Sequence, residues 1–538
     1  MLEYLHISSL IHLVIAALLG ILYVRFKSVL ILPAIMIASL IGVTVGLEVN
    51  PFLKSLSGFA AILIVFVAGL ELNSEFIRRE KERVVLMIFI EAILFVSLFY
   101  ILTTLLPLTI ALTFSALVVA SNEAFAIQIS RVRGGDIGNY GLSLSVFEDA
   151  LAVSLLSYGL FTLKPVVSRV EIGLEISILI ALTVILYFLS KPFSKFINEI
   201  ENLDTKILLV ILYMFILISL SEALNAPEPI VIFIGALMLS WEFLDLNVRN
   251  AIENYFSLAL IGFIATLPYM IPHVNIVSDI KLAIYIISAG VVTALLAFIV
   301  RFIFVLISST LSGLNTDDSL YLATALANTG EFGLIVLAYL IKSTNLINPV
   351  YAYIAMIAYA VNLTIVSYIA NRMDGFVKLT KTLIGSRILN ILDRVSSEAN
   401  SFISYLIGDI ESKVVILEIA LSTTTLYVSL LIYGITQLPI VKYTLLVISS
   451  SLIIVALHRL FRRLYIGIRR HRKPRIFICI FRIVLLYVIL APLIDILTDL
   501  MHEVLTTLTY TPLVVPLIPI TSYLISKALS RISQHIFK

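Results

Sequence analysis

Apolar runs of about 20 residues, each closed by a short polar or charged segment, recur from one end of the chain to the other. As a helix rising 1.5 Å per residue, such a run matches the roughly 30 Å hydrocarbon core of a bilayer. Thirteen runs fall between residues 6 and 370, and four more between 413 and 528. The pattern predicts an all-α polytopic membrane protein of seventeen spans. The last span is interrupted by Pro512, Pro516 and Pro519. Between the two groups, residues 371–412 are polar-rich and amphipathic. This segment reads either as one or two surface helices or as a plain solvated linker. The predicted organisation is therefore a transmembrane core over 1–370, a linker over 371–412 and a C-terminal transmembrane extension over 413–538.

Charge tests this division. Of the 37 Lys and Arg, 29 fall in loops on the side that holds the C-terminus. The opposite side holds six: Lys54, Lys164, Arg169, Lys281, Lys342 and Lys442. Arg301 and Arg482 lie within spans. By the positive-inside rule the N-terminus is expected outside and the C-terminus in the cytoplasm, with the protein in the cell membrane. The basic run RLFRRLYIGIRRHRKPR (459–475) reads as a topological anchor, in preference to a nucleic-acid or lipid site. No nucleic-acid partner is expected. Overall, 60% of residues are hydrophobic and 13% charged, about half the charged fraction of a soluble domain. A single cysteine, Cys479, excludes an intramolecular disulfide and argues against a cysteine metal site. No cofactor is expected.

Ionisable residues within spans are costly and face a protein interior or an aqueous path. Glu123, Glu148, Asp149, Arg301 and Glu331 stand out, with Glu91, Glu418 and Arg482 as further cases. The span over 108–129 is interrupted by Ser121, Asn122 and Glu123. The span over 319–341 is interrupted by Asn328, Thr329, Gly330 and Glu331. These two spans are seven apart, so they cross the bilayer in opposite directions. Matching polar interruptions in oppositely directed spans predict an inverted repeat with a midplane site between discontinuous helices. At such a crossing each half-helix end carries about half a charge. Glu123 and Glu331 are placed to offset N-terminal ends. Arg301 is placed to offset C-terminal ends or to pair with an acid. All three also read as charge balance alone, without transport chemistry.

The segment VFEDALAVSLL (146–156) puts two acids side by side in an apolar helix. Adjacent residues point about 100° apart, and Ser145 lies three and four residues back, under both acids. Asp149, Ser145, the side chains at 121–123 and the freed backbone carbonyls suit a hard-oxygen cation site. A carboxylate there takes a cation or a proton in competition. Glu148 reads either as part of that site or as an architectural acid held ionised by Arg301.

Six segments together resemble the cation:proton antiporter-2 (Kef-like) branch of the sodium/proton exchanger superfamily. They are FVAGLELN (66–73), SNEA (121–124), FEDALAV (147–153), IFIGALMLS (232–240), Arg301 and GEFGLIVL (330–337), in family order over about 10–370. The resemblance implies a thirteen-span core and an elevator motion against a dimerising scaffold, hence a homodimer. It also implies exchange of Na⁺ or K⁺ for protons at Asp149. Glu148 stands where the family has Asn, Asp or Gln, which leaves stoichiometry open. Glu123 replaces a small hydroxyl residue. No strand–GxGxxG–helix unit marks the nucleotide-binding domain that such relatives often carry. Three other readings fit less well. A sodium-coupled organic solute symporter would share the crossed-helix fold, but the GEF and ED motifs argue against it. An intramembrane aspartyl protease needs two aspartates from two spans, and no GxGD occurs. A channel would need a filter-like repeat.

Overall fold

The computed structural model describes residues 31–44, 51–70, 80–122, 135–162, 169–224, 228–239, 246–271, 279–344 and 348–408. The first predicted span, Glu123, Glu418, Arg482, the 459–475 run and the four-span extension lie outside the described residues. Backbone packing separates Met1–Lys473 from Pro474–Lys538, and every described residue belongs to the first unit.

Among the described residues the chain is helical, with one 3-10 turn and no strand. The helices are α1 (Ile31–Thr44), α2 (Pro51–Leu70), α3 (Lys81–Leu105), α4 (Leu108–Val119), α5 (Gly135–Thr162), α6 (Arg169–Glu199) and α7 (Leu203–Ala223). Then follow α8 (Glu228–Leu239), α9 (Leu246–Thr266), α10 (Ile280–Leu311), α11 (Thr316–Leu326), α12 (Glu331–Thr344), α13 (Pro349–Ala370) and α14 (Met373–Gly408). Five stretches are long and apolar enough to cross a membrane: Arg83–Leu105, Leu203–Ala223, Ile280–Leu311, the α11–α12 stretch Thr316–Ile341, and Pro349–Ala370.

Local chemistry sets several starts. The side chains of Asn202, Asp279, Asn315 and Asn348 each accept a backbone N–H from the first turn of α7, α10, α11 and α13. Pro51 and Pro349 open α2 and α13, where a missing N–H costs nothing. One helix runs past its predicted end. The apolar run of the seventh span ends near 189, but α6 continues through Pro192 to Glu199. A proline inside a helix costs about 3 kcal/mol. Here packing offsets it: Phe193 stacks on Tyr213 at 5.1 Å and Ile197 is fully buried.

Two helix groups emerge from the packing. In one, α2 lies against α8 and α9, and α8 also touches α6 and α7. Gly69 lets α2 approach α8 closely, since a Cβ there would sit 2.6 Å from the Phe233 carbonyl oxygen. In the other group, α10 packs along α13, α11 and α3, while α4 packs against α12, α5 and α3.

The predicted amphipathic linker is α14. It is jointed at Gly385, whose φ of 79° is left-handed. Before the joint, Tyr321 donates to Asp374, and Lys381 pairs with Asp317 at 2.5 Å, which ties α14 to α11. Beyond it, Ser396 donates to the Leu314 carbonyl at 2.5 Å, and the Asn400 backbone lies against Gly313, itself at φ 82°. Arg83 at the start of α3 joins the same end. It donates to the Ser312 carbonyl (3.2 Å), Glu80 (3.1 Å), Tyr140 (2.9 Å) and Asn400 (2.9 Å).

Candidate ion-exchange site

The described residues of both predicted interruptions, 120–122 and 327–330, are non-helical, and they meet. Helix α4 stops at Val119, and Ala120 is extended (φ −72°, ψ 141°). Helix α11 stops at Leu326 and α12 begins at Glu331, so residues 327–330 are not helical. The Gly330 N–H donates to the Ala120 carbonyl at 2.8 Å. The Asn122 N–H donates to Asn328 Oδ1 at 2.5 Å, and Asn122 Nδ2 donates to Glu331 Oε2 at 2.9 Å. Breaking a helix frees backbone groups, and each must find a partner when buried. Here the two breaks supply partners to each other.

Gly330 permits that closeness. A Cβ at this position would lie 2.5 Å from the Ser121 carbonyl oxygen and 2.9 Å from its nitrogen. These are backbone atoms and cannot swing aside. Gly330→Ala is therefore expected to destabilise the protein by roughly 1–3 kcal/mol. An unchanged thermal midpoint in detergent would show that the crossing can give way.

Arg301, fully buried in α10, gathers the C-terminal ends. Its Nε donates to the Leu326 carbonyl at the end of α11 (2.6 Å). Its Nη1 donates to the carbonyls of Val118 (2.6 Å) and Val119 at the end of α4. Its Nη2 donates to Glu148 Oε1 at 2.7 Å, with both side chains fully buried. Sequence reasoning left open whether Arg301 offsets helix ends or pairs with an acid; it does both. Two C-terminal ends carry about −0.5 each, so one guanidinium balances them. The face of the Phe95 ring, 5.6 Å away, covers it.

Glu331 begins α12, where a carboxylate offsets the positive helix end. Ser145 on α5 reaches the break: Ser121 Oγ and Ser145 Oγ are 2.9 Å apart, and Ser145 Oγ lies 3.3 Å from the Ser121 carbonyl. Asp149 sits one turn beyond Ser145 on the same face of α5 and is 1% exposed. The structure thus brings together Ser121, Asn122, Ser145, Glu148, Arg301 and Glu331, with Asp149 beside them.

One residue escaped sequence reasoning. Asn362 of α13 accepts the Thr329 N–H at 2.9 Å and donates to the carbonyls of Ala294 (3.2 Å) and Ala327 (3.4 Å). It therefore props the second break from behind. A lone Asn inside the apolar run AYAVNLTIVSYIA was the available signal.

Known proteins bear on this arrangement. The family described as "Sodium/hydrogen exchanger, transmembrane" matches residues 13–371. Among solved structures, the sodium proton antiporter MjNhaP1 from Methanocaldococcus jannaschii, at pH 8, is similar. It shares 18% identity with a TM-score of 0.49, and the match covers 67% of this chain and 97% of that one. No curated protein sequence matches the chain. With the family match spanning well over half its length, the chain belongs to the sodium/hydrogen exchanger family.

Proposed function

We propose that the protein is a secondary antiporter exchanging a monovalent cation, Na⁺ or K⁺, for protons, with Asp149 as the carboxylate that takes each in turn. The observation that carries this is the Arg301–Glu148 pair, 2.7 Å and fully buried. It commits one acid of the adjacent pair to a permanent cation. Asp149 lies about 100° around α5 from Glu148 and one turn from Ser145, whose hydroxyl meets Ser121. Hydroxyl, carbonyl and carboxylate oxygens are the ligands hard cations choose. Asn122 is turned to Glu331 and helps hold the break open.

The motifs FEDALAV and GEFGLIVL support the Kef-like branch within the family. The Lys/Arg distribution supports an outside N-terminus and a cytoplasmic C-terminus in the cell membrane. The two helix groups, joined mainly through α5 and α1, suit an elevator motion in which one carries the crossed interruptions past the other within a homodimer. In this reading residues 1–370 carry the exchange, and 413–538 form an added transmembrane extension.

A guanidinium does not readily release its proton. Arg301 therefore contributes no second proton, and exchange is one-for-one. Vesicles holding the purified protein test this. An imposed cation gradient should move protons, reported by a pH-sensitive dye. Clamping the membrane potential with an ionophore for an ion that is not transported should leave the reversal point unmoved. A reversal point that shifts with potential would show net charge movement and refute one-for-one exchange.

A further inference from the structure

Glu91 lies in the middle of α3, fully buried, and the exchange reaction as described makes no use of it. Its helix packs directly on α5, which carries Glu148, and Glu91 interacts electrostatically with both Glu148 and Arg301. Neither oxygen of Glu91 receives a hydrogen bond. Glu148 Oε2, the oxygen that Arg301 leaves over, receives none either. Four residues along the same face of α3, Phe95 covers the guanidinium. This face of α3 is therefore turned to the Arg301 cluster.

Two neighbouring carboxyl groups cannot both stay ionised in a dry interior with no donor to spare for either. One proton resolves the geometry. Placed on Glu91, it makes an O–H donor to Glu148 Oε2, and a single bond then serves both carboxyl groups. Charge counting agrees. Arg301 already faces the Glu148 carboxylate and two helix C-termini of about −0.5 each. No positive charge is left over for a second carboxylate.

We propose that Glu91 is a positioning residue that keeps its proton: as a neutral acid it donates to Glu148 Oε2 and holds the Glu148–Arg301 pair in register beside Asp149. The inference rests on Asp149 as the exchanging acid and adds a third group to its support. A gap at Glu91 lets Glu148 turn, and Arg301 then loosens its hold on the ends of α4 and α11. The proton on Glu91 is resident and is not part of the transported stoichiometry.

Two substitutions and one spectrum test this. Glu91→Ala removes the donor and should lower exchange about tenfold. Glu91→Gln supplies an amide donor that cannot ionise, and it should restore the wild-type rate and leave the pH profile unmoved. Infrared spectra are then compared between Asp149→Asn and the Asp149→Asn, Glu91→Gln double variant. The single variant should show one more protonated-carboxyl stretch, constant across the pH range of exchange. Absence of that band would mean that Glu91 is ionised and would overturn the proposal. Lost exchange or a displaced pH profile in folded Glu91→Gln would show a mobile proton and overturn it equally. Full activity in Glu91→Ala would remove the positioning role. If Glu91→Ala does not fold, the spectra and Glu91→Gln still decide. Failure of the antiport reading shows separately, as wild-type vesicles that exchange nothing.

Discussion

Asp149→Asn should reduce cation-dependent proton movement to the level of protein-free vesicles while leaving the purified protein folded. Asn has nearly the volume of Asp, and the change falls inside a continuous helix, α5, between Ser145 and Ala152, both fully buried. Packing around it is therefore preserved. What disappears is the charge. Neither a proton nor a cation can be held by an amide with the affinity a carboxylate gives, so the competition that drives exchange is gone. The check is dye-reported exchange in vesicles, with size-exclusion and thermal profiles on the same preparation. A folded Asp149→Asn protein that exchanges near the wild-type rate would move the site elsewhere.

Arg301→Met should prevent accumulation of folded protein. The methionine fills much of the volume but takes away every donor. Glu148 is left as a buried carboxylate without its cation, and the carbonyls of Leu326, Val118 and Val119 lose their shared partner. Breaking a buried pair from one side costs about 3–5 kcal/mol, against a typical total stability of only about 5–15 kcal/mol. Arg301→Lys should be intermediate. An ammonium keeps the charge, but a compact three-proton head cannot reach an acid and two helix ends in different directions as a planar fork does. Adding Glu148→Gln to Arg301→Met should recover part of the loss, because no unpaired carboxylate remains. A double variant no more stable than Arg301→Met would mean that the helix ends, not the acid, set the cost.

Much of this site was legible because polar residues are conspicuous against an apolar chain. Ser121–Asn122 and Asn328–Gly330 interrupt otherwise unbroken apolar runs, and both breaks lie there. The pairing of Arg301 with Glu148 was one of the two roles that its charge suggested. The remainder was hidden for two reasons. Backbone acceptors carry no side-chain signature, so nothing in the sequence pointed Arg301 at Val118, Val119 and Leu326. Glu91 and Asn362 have no second charged or amide side chain in their spans to mark a site, and only packing of α3 on α5 and of α13 on α10 brings them to it. The extra length of α6 was not legible because the apolar run stops before Ser190 and Lys191, and the compensating contact, Phe193 on Tyr213, comes from another helix.

Arg83 has a mechanical implication. One side chain clasps the start of α3, the body of α5, the end of α10 and the far half of α14. Of these, α3, α5 and α10 also carry Glu91, Asp149 and Arg301. A pull on α14 beyond its joint at Gly385 is thus delivered as one load to α3, α5 and α10 together. The near half, bolted to α11 through Asp317 and Tyr321, takes its share of the strain separately. In engineering terms α14 is a two-link harness, each link fastened to its own set of helices.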